Sequence, residues 1–175
     1  MAQENENTAV LILYDSKSKM VQVLANCIAN GVLQVPGAHP KICSLNKTEP
    51  SALLEADALA VGCPNFSGIT AELKGWFDNT GHLWETGAFA GKPACAFTTS
   101  WSRSAGTEAT LLQIMHLLLA NGCYIVGLPW TDAMKESGSY YGATAHGKVT
   151  PQDRAQARAL GKRLAQLAVT IKQNK

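Results

Sequence analysis

Three short stretches of this chain gather groups able to hold an anion and a flat polar ring. "DSKSKM", residues 15–20, puts two hydroxyls and two lysines directly behind the apolar run "TAVLILY", residues 8–14. Hydroxyl and ammonium donors at a helix start add to the unpaired backbone N–H groups and the positive dipole end found there, and that combination binds phosphate. The same residues also suit an ordinary helix cap, which any strand-to-helix turn needs. "PNFSGIT", residues 64–70, sets an aromatic, Phe66, beside Gly68, where backbone can approach a flat ligand. "TTSWSRSAGTE", residues 98–108, offers Ser100, Ser102, Ser104 and Gly106, whose backbone can hydrogen-bond the polar edge of a ring.

Other chemistries find no footing. The histidines, at 39, 82, 116 and 146, lack metal-ligand spacing, so no metal site is expected. The five cysteines, at 27, 43, 63, 95 and 123, form no Cys-x-x-Cys pair and sit mostly in apolar runs. They read as buried, reduced thiols of a cytoplasmic protein. The formal charge is only +2 and the basic residues are scattered rather than striped, so nucleic acid is not an expected partner. No run approaches the roughly 20 apolar residues a membrane-spanning helix needs. The polar start, MAQENENT, does not read as a signal peptide, and residues 1–7 are expected to be a disordered tail.

The elements that must position the three stretches follow from hydrophobic pattern. At 175 residues and 46% hydrophobic, residues 1–175 fit one domain. Buried strands are expected at 8–14, 58–64, 92–100 and 123–129, with a weaker one at 41–45. Helical periodicity follows each, from Ser18 to about Asn30 with Gly31 as its stop, then from Thr70, and from Thr107 to Ala120. The last helix opens at Thr150-Pro151 and carries a Leu160, Leu164, Leu167 and Ile171 stripe. Five strand–helix units predict an α/β fold, a doubly wound parallel sheet of order 2-1-3-4-5 with helices on both faces. Residues 131–149 read as a long Gly- and Ser-rich loop, of the kind that is usually functional.

In such sheets ligands sit beyond the carboxyl ends of the strands, where all three stretches fall. There the chain resembles a family. "GCPNFSGITAELKGWFDNTGHLW", "GKPACAFTTS" and "GSYYGATA" are similar to the tryptophan-repressor-binding-protein type of flavodoxin-like NAD(P)H:quinone oxidoreductases, over roughly residues 8–170. The resemblance implies FMN at the three loops, two-electron transfer from NAD(P)H to a quinone-like acceptor, and a homodimer or homotetramer. By resemblance Ser16, Lys17, Ser18, Lys19, Met20 and Val21 form the FMN-phosphate loop. Pro64, Asn65, Phe66, Ser67 and Gly68 line the flavin ring. Thr99, Ser100, Trp101, Ser102, Arg103 and Ser104 form the third flavin-contacting loop. Trp84 and Tyr141 are the residues expected near the substrate, Trp84 often across a subunit boundary. No protein acid–base residue is implied, because the flavin carries the redox chemistry.

The chain departs from the family pattern in four places. Lys19 stands where the phosphate loop carries glycine. "PNFSG" is about one residue shorter and lacks an arginine. Trp101 and Arg103 bulk a loop that is Gly-rich in the family, and Ala120-Asn121-Gly122 replaces a His-His-Gly. These departures motivate a second reading, a flavin-free or weakly flavin-binding oligomeric interaction protein. A third reading, a one-electron carrier, conflicts with the +2 charge, since such carriers are usually strongly acidic.

Overall fold

The computed structural model describes residues 7–174. The first strand, β1 (Thr8–Tyr14), is apolar almost throughout because helices cover both of its faces. Alternation along it divides the core. Val10 and Ile12 face one layer, with α1 (Lys19–Val32) and α5 (Pro151–Gln173). Leu11 and Leu13 face the other, with α2 (Ala71–Asp78), α3 (Gly81–Glu85) and α4 (Thr107–Ala120). The parallel ladder runs β2 (Ala38–Ser44), β1, β3 (Ala58–Pro64), β4 (Pro93–Ser100), β5 (Tyr124–Ile125), which is the expected 2-1-3-4-5 order. No helix among the described residues is long and apolar enough to cross a membrane.

Two expectations need correction. The fifth strand does not run over 123–129. It stops after Ile125, and the outer place beside β4 is taken over by a sixth strand, β6 (Gly142–His146), within the segment read as loop. Gly142 permits this, since a Cβ there would lie 2.2 Å from the Ala96 carbonyl oxygen. Residues 126–141 bulge out between the two strands and are fastened to the start of α5, where Gln156 donates to the Ser137 carbonyl at 2.7 Å. Ser137 itself donates to the buried Asp153, which also closes a capping box with Thr150.

Gly31 does not end α1. The helix continues to Val32, and Gly31 is buried against α5. A Cβ on Gly31 would sit 2.0 Å from the Arg158 carbonyl oxygen, and one on Gly161 would sit 2.1 Å from that of Ile28. The glycines therefore let two helix backbones touch at reciprocal points. Of the expected tail, residues 1–6 lie outside the described residues, whereas Asn7 hydrogen-bonds His39 at 2.8 Å. All five cysteines are free, and burial pushes the Cys63 and Cys123 thiols up to about 11. Gly31→Ala or Gly161→Ala must push α1 from α5, so each is expected to cost about 3 kcal/mol in urea denaturation. Ala at the exposed Gly81, where added bulk meets nothing, is the matched control.

Candidate functional site

The three stretches converge on one edge of the sheet. Strand register brings Tyr14 level with Gly62, and Pro64 level with Thr99, so the loops after β1, β3 and β4 leave side by side. Between them lies a cleft of about 140 Å³ lined by Lys17, Ser18, Met20, Pro64, Asn65, Phe66, Thr99, Ser100 and Trp101. All nine are among the residues expected from sequence.

At the first loop, Ser18 takes the N-cap position of α1 but makes no side-chain cap bond. The first-turn N–H groups of Lys19, Met20 and Val21 are thus left open among the described residues. Val21 is fully buried in the core, so only its backbone faces the loop. The cationic side chains are not equivalent. Lys17 is ion-paired with Glu72 of α2, and the hydrogen bond between them raises the Lys17 ammonium and lowers the Glu72 carboxyl, keeping both charged. Lys19 has no such pairing among the described residues. Asp15, buried just behind, accepts the Lys17 backbone N–H at 2.9 Å through Oδ1, while its Oδ2 has no partner.

At the second loop, Asn65 is a staple. Its Oδ1 accepts the Gly68 N–H at 3.0 Å and its Nδ2 donates to the Ala105 carbonyl at 2.5 Å, tying the second loop to the third. The turn needs Ser67 at φ 59° and Gly68 at φ 136°, and Gln113 of α4 braces it by accepting the Ile69 N–H at 2.8 Å. Phe66 is left exposed at the mouth. At the third loop, Thr99 is buried and its Oγ1 has no partner among the described residues. Trp101, expected to narrow the ring site, is 82% exposed, and Ser102, Arg103 and Ser104 are exposed as well. Neither indole nor guanidinium fills the hollow.

Two expected residues do not reach the cleft within this chain. Trp84 donates its indole N–H to the Ala120 carbonyl at 2.9 Å, at the far end of α4 from the cleft. That helix of 14 residues spans about 21 Å. Tyr141 precedes β6, whose last residue is level with Ser100, and so lies about 16 Å back along the sheet. One residue near the cleft was missed. His146 places Nδ1 2.8 Å from Ser100 Oγ. The signal that could have found it is the small-residue run "GATA" just before it, a strand too weak in β-branched residues to stand out.

The fold defines the class: a flavodoxin-like α/β protein. The chain belongs to the NADPH-dependent FMN reductase family, whose model matches residues 46–133. An Archaeoglobus fulgidus protein named NAD(P)H dehydrogenase (quinone) is 31% identical over 91% of this chain and 96% of its own length. An Aquifex aeolicus protein named flavodoxin is 32% identical over 90% of this chain and 85% of its own. Among solved structures, a flavodoxin, WrbA-like protein from Agrobacterium tumefaciens superposes with a TM-score of 0.75 at 23% identity, covering 96% of this chain and 99% of that one.

The residues present fit the FMN that the family implies. An uncapped helix start suits a phosphate, and the unpartnered Thr99 hydroxyl sits beneath a hollow that its neighbouring aromatics leave open. The shape of that hollow depends on Asn65. Asn65→Ala strips partners from the Gly68 N–H and the Ala105 carbonyl together and is expected to cost about 2–3 kcal/mol. Hydrogen exchange should quicken at Gly68 while amides of β3 and β4 stay protected.

Proposed function

We propose that this chain binds FMN across its three loops and passes two electrons from NAD(P)H to a quinone-like acceptor. The observation that carries the reading is the convergence of an open helix start and an open hollow at one sheet edge, with Trp101 forming part of the wall while most of its indole faces solvent. Relatives named NAD(P)H dehydrogenase (quinone) support the acceptor class. When bound, the flavin supplies the two-electron relay between donor and acceptor.

The chain's own residues hold, orient and shield. The N–H groups of Lys19, Met20 and Val21, with the Ser16 and Ser18 hydroxyls and the Lys17 and Lys19 ammonium groups, take the phosphate. Phe66 and Trp101 flank the ring and exclude water from its faces, and the third loop offers backbone groups to its polar edge. Placement is the protein's contribution, since a nicotinamide must come within about 3–3.5 Å of the atom it reduces. Trp84 and Tyr141 act from a second copy of the chain, a reading supported by the exposed Trp84, Leu112 and Leu119 along α3 and α4. Five free thiols support a reducing, cytoplasmic setting. The flavin-free alternative loses one of its motives with the Trp101 indole largely in solvent, and keeps those of Lys19 and of Ala120-Asn121-Gly122.

Purified protein mixed with FMN and desalted should stay yellow, bleach anaerobically with NADPH, and recolour with benzoquinone. A colourless protein after desalting, or a yellow one that NADPH leaves unbleached, sinks the proposal. The Glu72 carboxylate competes with a phosphate for Lys17. Glu72→Gln should therefore tighten FMN, by a factor that shrinks between about 20 mM and 500 mM salt as screening grows. Fluorescence titration at the two salt concentrations reads this directly.

A further inference from the structure

The third loop is held in place by a side chain that belongs to none of the three loops. His146 ends β6 and lies level with Ser100, the last residue of β4. Its Nδ1 is 2.8 Å from Ser100 Oγ, and that same Oγ is 2.6 Å from the Ser102 carbonyl oxygen. A serine hydroxyl has a single hydrogen, and a carbonyl oxygen can only accept. Ser100 therefore donates to Ser102, and the remaining bond must be donated by Nδ1–H. The neutral ring is fixed as the Nδ1–H tautomer, with Nε2 bearing the lone pair and no partner among the described residues. The next residue adds a second bond, the Gly147 N–H donating to the Ser100 carbonyl at 2.8 Å.

Ser100 is thus gripped at its hydroxyl and its carbonyl by residues 146 and 147. Through the hydroxyl the grip passes on to Ser102, and Trp101 lies between the two serines that are held. A tryptophan that is 82% exposed has hydrophobic reason to fold into the adjacent hollow, and the fixed turn from Ser100 to Ser102 opposes this. We propose that His146 is the positioning residue of the ring-facing loop, acting through Ser100 to hold the 100–102 turn open and keep Trp101 at the wall of the cleft rather than collapsed into it. It reaches no ligand itself. The inference rests on the reading that the cleft takes FMN, and it assigns to the segment 126–149 a task in flavin placement.

Geometry supplies a sharp set of variants. In asparagine the side-chain amide nitrogen occupies nearly the position of Nδ1 and keeps the donor. Glutamine reaches toward the Nε2 position instead, and alanine keeps nothing. Kd values for FMN and for riboflavin, read by flavin fluorescence quenching, separate the ring loop from the phosphate loop, because riboflavin has no phosphate. His146→Ala and His146→Gln are expected to weaken both ligands by about the same factor, about fivefold for one lost hydrogen bond. His146→Asn should restore both to within about twofold of the wild type. Nitrogen-15 NMR of the unliganded wild type should show the His146 ring protonated at Nδ1.

An Nε2–H ring in the unliganded protein overturns the inference, as does an alanine variant that binds both flavins like the wild type. So does an asparagine variant as weak as alanine, which would reduce the histidine to bulk. A loss confined to FMN, with riboflavin unaffected, would place its effect at the phosphate and also refute it. Wild-type protein that retains neither flavin would sink the functional reading itself, and this inference with it, while the tautomer measurement distinguishes that failure from an error in the clamp.

Discussion

The constraint behind everything else is the parallel ladder. Helical crossovers return each strand in the same direction, so the carboxyl ends of β1, β3 and β4 are forced to a common edge. Their register then sets heights: Tyr14 beside Gly62, Pro64 beside Thr99. A loop that starts one residue late on any strand would shift by about 3.3 Å and turn its side chains to the other face. Convergence of the three polar loops is thus a property of the sheet. The reciprocal glycine contact between α1 and α5 contributes at one remove, because α1 can present its open start only if its body lies flat on that layer.

Within the cleft, the loops are organised by side-chain hydrogen bonds rather than by packing. Asn65 spends both ends of its amide on backbone, and Ser100 is occupied as donor and acceptor. Those bonds fix both side chains in place, and each keeps a further donor or acceptor site facing away from its partners. The groups left over are the α1 first-turn N–H groups, the Thr99 hydroxyl, Lys19 and the exposed aromatics. This division of labour is what preorganisation requires: some polar residues fix the frame so that others are free at fixed positions. The corner formed by the first loop differs in having its charge internally balanced, with Lys17 held by Glu72 and Asp15 buried behind it. An anion entering there meets open dipoles and one unpaired ammonium, and must compete for the second.

Much of this was legible in the sequence, and the reasons are local. "TAVLILY" and "ALAVGCP" are apolar at every turn of the pleat and admit little else than doubly covered strands. Thr150-Pro151 with Asp153 specifies a helix start, and the structure contains that capping box. Thr107 to Ala120 ended where Asn121-Gly122 said it should, with Gly122 at φ 79°. What escaped was non-local. Gly31 resembles a helix stop in its own window and becomes a contact residue only when Arg158 is brought against it. The strand "GATAH" has too little bulk to announce itself, and its smallness is explained only by the Ala96 backbone it touches. The site inherits the same split. Its three loops could be named from composition, while the Asn65 staple and the His146 contact depend on partners 40 and 46 residues away.

The divided outer strand has a consequence for how the cleft is coupled to the rest of the chain. Had the ladder of β5 simply continued, the place beside Ser100 would be reached by a residue near 131, six residues beyond Ile125. Instead the ladder is left at Ile125 and resumed at Gly142, so the residue delivered beside Ser100 comes at the end of a detour. That detour is pinned by Ser137 and Gln156 to the start of α5, and by Ser139 to Glu108 in the first turn of α4. Both anchors hold the detour that leads into β6, whose last residue lies level with Ser100. In a fold whose other site loops are single short links, this arrangement gives one wall of the cleft a mechanical connection to a surface segment carrying Trp130, Tyr140 and Tyr141.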